Sequence, residues 1–158
     1  KNKLEKIKDE RKKQAVERID KALDALNDKM VRHYDAVLDQ IEKVLDRVDA
    51  RIAKAEERGL DVSAVKTAEE AAKRAITSAR EAVRTQAGKT YTAAVNTEGT
   101  LKRDVGGARQ ALHADLKKVE AAVKAAREAV RKVAAVLAQI SRIDEPSSPS
   151  STPPTTSQ

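Results

Sequence analysis

From Val16 to Ala55 the chain repeats one motif, an apolar position every third or fourth residue. The series is Val16, Ile19, Leu23, Leu26, Met30, His33, Val37, Ile41, Val44, Val48, Ile52 and Ala55, with His33 its one strongly polar member. Steps of this size put side chains on one face of an α-helix. Two steps average about 7.1 residues, between the roughly 7.0 of a coiled-coil seam and the roughly 7.2 of a straight helix, so the spacing predicts at most weak left-handed supercoiling. The first helix is predicted over Lys3–Arg58. Gly59 can supply the left-handed residue that ends it, Leu60 can close a Schellman contact, and Asp61 can cap the next helix.

A second stripe runs Val65, Ala68, Ala72, Ile76, Ala79, Val83, Ala87, Tyr91, and predicts a helix from Val62 to Thr90, or to Val95 at most. The Thr- and Gly-rich segment from Gly88 to Thr100 marks a turn near Val95–Gly99, with Thr97 or Thr100 as the next cap. A third stripe runs Leu101, Val105, Ala108, Leu112, Leu116, Val119, Val123, Ala126, Val130, Val133, Leu137, Ile140, and predicts a helix over Leu101–Ile143. Gly106 and Gly107 weaken its start by about 1 kcal/mol each relative to Ala. Short connections make consecutive helices antiparallel neighbours. The fold expected is an all-α, elongated three-helix bundle or coiled-coil rod. A basic helical arm (1–24) continues into its first helix, the bundle occupies 25–145, and a tail follows at 146–158.

All four prolines lie in that tail, PSSPSSTPPTTSQ, which has neither charge nor a large apolar residue. Such a segment cannot bury enough surface to offset the entropy of ordering, so an extended or disordered terminus is expected. Its composition is also that of O-glycosylated stalks, with Ser147, Ser148, Thr152, Thr155 and Thr156 as candidate sugar acceptors.

Composition narrows the function classes. Of the apolar residues 28 are Ala, and only 33 are Val, Leu, Ile or Met, enough for thin stripes and not for a thick globular core. Cysteine is absent, so there is no disulfide framework, thiolate zinc site or cysteine nucleophile. No stretch approaches the roughly 18 apolar residues that span a bilayer. The opening Lys1 is what removal of an export signal would leave, and an extracellular or cell-surface location is expected on that ground.

The runs Arg47–Val83 and Lys117–Leu137, with the Gly-hydrophobic-Asp-x-Ser turn at Gly59, Leu60, Asp61, Val62 and Ser63, resemble a group of secreted Ala/Lys/Glu-rich long-helix proteins of candidate-phylum bacteria. The resemblance covers about Asp35–Ile143. It implies export and a helical architecture and carries no assigned activity.

Candidate chemistry is sparse. Ala87-Gly88-Lys89-Thr90 imitates the end of a phosphate-binding loop, but Val83 stands where the first glycine belongs and a helix precedes it. His33 sits on the predicted seam, and His113 has Asp115 two residues on, without metal-ligand spacing. Asp35, Asp39, Glu42, Asp46 and Asp49 read as a solvated acidic face, with no cleft expected to shift a carboxylate. No catalytic residue, cofactor, metal site or small-molecule substrate is expected, and the chain reads as non-enzymatic.

Charge leaves one further partner class. The net charge is +7, and residues 1–14 hold seven Lys or Arg against three acids. A weak, salt-sensitive contact with nucleic acid or an anionic envelope polymer through residues 1–14 is the alternative reading. The leading expectation is a structural protein that self-associates head to tail into filaments. The arm would present Leu4, Ile7, Val16 and Ile19 without an internal partner, and Leu137, Ile140 and Ile143 would overhang the other pole.

Overall fold

In the computed structural model, residues 9–92 and 98–140 are described. Three α-helices form an elongated bundle: α1 Glu10–Glu57, α2 Ser63–Ala87 and α3 Leu101–Ala138, the last entered through a 3-10 turn at Glu98–Thr100. No strand occurs among the described residues. With 48 residues, α1 is about 72 Å long at 1.5 Å per residue.

The helix ends follow local chemistry. Asp9 accepts from the Arg11 N–H at 2.9 Å and caps α1. At the other end Gly59 takes φ +73°, Leu60 N–H donates to Ala55 O, and Gly59 N–H donates to Glu56 O. That is the Schellman pair expected there, and Leu60 folds back on the core. Asp61 Oδ1 accepts from both the N–H and the hydroxyl of Ser63, and these bonds hold the Asp61 carboxyl below its usual range.

α2 stops at Ala87, short of the expected Thr90. Asn27 of α1 is the reason: its Nδ2 donates to Gln86 O at 3.1 Å and Lys89 O at 3.3 Å, satisfying carbonyls that a longer helix would have used itself. Asp24 then accepts from the Tyr91 N–H at 3.1 Å and draws the chain onward along α1. Ahead of α3, the Thr100 hydroxyl donates to the Asp104 carboxylate and caps no backbone N–H.

That path corrects the expected register. The sequence pattern put the second and third helices beside the same half of the first, leaving Lys1–Leu23 uncovered. Instead α2 ends at the level of Asn27, whereas α3 begins at the level of Val16. Val16 is 1% exposed and packs on Leu101, Val105 and Ala108 in a small cluster of its own.

The seam of α1 also differs from the line read in sequence. Leu26 and Val44 are 37% and 43% exposed, and His33 is exposed, its ring tilted on Tyr34 at 5.5 Å. Asn27, Tyr34, Leu38 and Leu45 are buried in their place. Asn27, Tyr34, Ile41, Val48 and Ala55 lie seven apart, as do Leu38, Leu45 and Ile52. α3 keeps the same spacing through Leu112, Val119, Ala126 and Val133, and through Leu116, Val123, Val130 and Leu137. This is the heptad of a left-handed coil, tighter than the average read in sequence. A single line through every apolar residue blurred it, because α1 faces two neighbours and has an apolar flank besides its core.

Candidate interaction face

Most of the apolar residues expected at the poles are used inside the chain. Val16 is enclosed as described, Ile19 is half-buried against the core, Leu137 is fully buried, and Ile140 packs half-buried over the top. Uncovered stripes at both poles, the premise of the head-to-tail contact, are therefore corrected for these four. Leu4, Ile7 and Ile143 lie outside the described residues, as do Ser147, Ser148, Thr152, Thr155 and Thr156 and residues 1–8 of the basic arm.

Two flanks of α1 carry opposite charge. At seven-residue intervals Asp28, Asp35, Glu42, Asp49 and Glu56 form an acidic bank toward α2. α2 answers with Lys66, Lys73 and Arg80, also seven apart. Lys66 Nζ lies 2.6 Å from Glu56, and Arg80 reaches Asp35 at 3.0 Å, Glu42 at 3.1 Å and Asp39. The acidic face read as solvated is half of an interhelical ladder. The Arg80 guanidinium is held protonated by these carboxylates, Glu42 first.

One rung of the ladder is strained. Burial and the neighbouring Glu69 carboxylate push the Asp49 carboxyl up to about 6, and its Oδ1 is buried without a hydrogen-bond partner. Burial acts on Glu69 too, but hydrogen bonds from Lys73 and Asp49 hold it below its ordinary value. A cleft of about 290 Å³ between Asp49 and Lys73 opens there, where the sequence reading expected none.

At the end of α2 lies a polar network absent from the sequence reading. Asn27 is 1% exposed and Gln86 2%. Gln86 Nε2 donates to Asn27 Oδ1 at 2.8 Å and to Tyr91 Oη at 2.7 Å. Tyr91 Oη donates in turn to Asp115 Oδ2 at 2.6 Å, and Lys89 pairs with the same carboxylate. Burial raises the Tyr91 hydroxyl, whereas the bond from Tyr91 lowers Asp115. Gly88 and Lys89 thus belong to a helix end, with Gly88 at φ −82°. No group of three His, Asp or Glu that could hold a metal occurs among the described residues.

The α1/α3 seam is built differently. It opens into a groove of about 420 Å³ floored by Val37, Ile41, Val44, Val130 and Ala134 and edged by Gln40, Arg127 and Arg131. Val44 is the most exposed large hydrophobic side chain described. Seven residues beyond Gln40 and Val44 stand Arg47 and Arg51; seven before Arg131 stands Lys124, and Lys117 precedes that. Both banks are basic. Of the acids on α3 near the groove, Glu120 is paired with Lys124 and Glu128 is exposed between Arg127 and Arg131. A second hollow, about 460 Å³, repeats the composition at the foot: Val16, Ile19, Leu101 and Val105 below, Lys102 and Arg109 at the rim. Periodicity marked Val37 and Val44 as core. Only the three-dimensional register shows that they lie beside it, although the cations at the same seven-residue spacing were a readable signal.

Compared with family models, curated proteins and solved structures, the chain has no match. No helix among the described residues is long and apolar enough to cross a membrane.

Proposed function

We propose that the protein is a non-enzymatic interaction rod whose working face is the α1/α3 flank. The observation that carries this reading is the contrast between its seams. On the α1/α2 side Lys66 and Arg80 pair with the acidic bank of α1, and Lys73 between them pairs with Glu69 beside Asp49. On the α1/α3 side cations stand on both banks above an apolar floor. Like charges across a seam repel by a few tenths of a kcal/mol per pair, so an anionic partner would gain here what the fold itself does not use. Export and display at a cell surface belong to the same proposal, supported by the Ser/Thr/Pro run and the secreted-protein resemblance. The flank, rather than residues 1–14 alone, is then where polyanion attraction concentrates.

The test compares two triple charge reversals of equal net charge. Arg47→Glu/Arg127→Glu/Arg131→Glu alters the flank; Arg74→Glu/Arg84→Glu/Lys132→Glu alters other exposed sites. With polyglutamate as the probe at about 50 mM salt, the first should weaken binding more than tenfold and the second about threefold or less. Equal losses would mean that only net charge matters and that no face exists.

A further inference from the structure

We propose that the α1/α3 groove seats an acidic amphipathic helix from another protein, which completes a local four-helix arrangement; this rests on the docking-face reading above. The floor supplies the first reason. Val37 and Val44 are seven residues apart on α1, so their side chains stand one above the other about 10 Å apart. They lie between two parallel ridges, where a third helix packs at the usual 8–10 Å between axes. A helix with apolar residues at heptad spacing can place one in each gap.

The rim supplies the second. Arg127, Arg131 and Arg47 have no acidic partner among the described residues, and they flank the floor where the e and g positions of an incoming helix would lie. Glu or Asp at those positions would meet a cation on either side.

Other occupants fit less well. A flat anionic membrane would meet the arginines but could not reach a floor recessed between two helices. Extended polyanions would use the rim and leave Val44 in water. A second copy facing groove to groove would set cations against cations. The tail 146–158 holds neither acids nor large apolar residues, and residues 1–14 carry the same sign of charge as the rim.

The experiment uses the full chain and three probes: a 28-residue helical peptide with Leu at a and d and Glu at e and g, a scrambled peptide of the same composition, and polyglutamate. Binding is read by fluorescence anisotropy at physiological salt. The amphipathic peptide should bind at least tenfold tighter than either other probe. Val44→Gln, at an exposed position that leaves the core untouched, should weaken it fivefold or more while circular dichroism stays unchanged. If the scrambled peptide binds equally well, or Val44→Gln changes nothing, the helix proposal is overturned although the basic face stands. If the Arg47/Arg127/Arg131 reversal also leaves polyglutamate binding intact, both readings fall. Vesicles containing phosphatidylserine that bind as tightly as the peptide, and release on Val44→Gln, would overturn it in favour of a membrane surface.

Discussion

Truncating Asn27 to Ala should destabilise the bundle far more than its polar character and helical position suggest. The Asn27 side chain donates to Gln86 O and Lys89 O and accepts from Gln86 Nε2. Ala leaves the partly buried Lys89 carbonyl without its side-chain donor and removes one of two donors to the buried Gln86 carbonyl, which keeps the Lys89 N–H at 3.1 Å. Each unsatisfied buried group costs about 1–3 kcal/mol, the partly wet one at the low end. Gln86 Nε2 keeps Tyr91 Oη, so its loss adds little. Ala regains about 0.5 kcal/mol through helix propensity. The net expectation is a loss of about 1–2 kcal/mol, or about 4 °C in Tm for a chain of this size. Urea unfolding followed by helical circular dichroism measures it, with Lys29→Ala, two residues on and exposed, as the control. Gln86→Leu and the double variant Asn27→Ala/Gln86→Leu complete a cycle, in which coupling of about 1 kcal/mol is expected for contacting partners. Should Asn27→Ala fall within about 0.5 kcal/mol of Lys29→Ala, the network is ornamental and the reasoning wrong.

Two further predictions follow from single sites. Asp49 is held protonated in the fold up to about 6, so the stability it contributes at low pH is lost as pH rises from its unfolded value through 6. Asp49→Asn, which keeps a donor toward Glu69, should gain about 1 kcal/mol at pH 8 and almost nothing near pH 3, after discounting for partial solvation; an equal gain at both pH values would exclude ionisation as the cause. At Gly106 and Gly107 an added Cβ meets nothing within 4 Å. Replacing both with Ala should therefore raise stability by about 1–2 kcal/mol through helix propensity alone, and a thermal melt that shows a loss would reveal a constraint the packing does not show.

The sequence pattern anticipated the helix count, the Gly59 Schellman turn and nearly the whole buried stripe of α3. Those features are local: a period, a left-handed glycine, a run of apolar residues with one neighbour on each side. It missed the buried Asn27 because a polar residue interrupts a periodic reading, and its partners Gln86 and Lys89 are about 60 residues away. It also misplaced α3, because a line of hydrophobics records which face is buried but not at what height the chain turns back. The basic flank was legible as a net excess, yet its location was not. Only when Lys66, Lys73 and Arg80 are seen facing acids do Arg47, Arg127 and Arg131 around Val44 separate from ordinary surface charge.

The late start of α3 gives the rod two sections of unequal strength. Above Asn27 three helices share one continuous core. Below it Leu23 and Ile19 still reach the main core, and beyond them α1 and α3 meet through the small cluster of Val16, Leu101, Val105 and Ala108, beside two adjacent glycines that loosen the first turns of α3. Opening this foot exposes a handful of side chains and breaks none of the bonds around Gln86. Backbone amides there should exchange with solvent through small excursions at a fraction of the free energy of global unfolding, while those near Leu38 and Leu112 wait for the whole bundle to come apart. Asn27 and Asp24 stand at the boundary, where unzipping from the foot would halt.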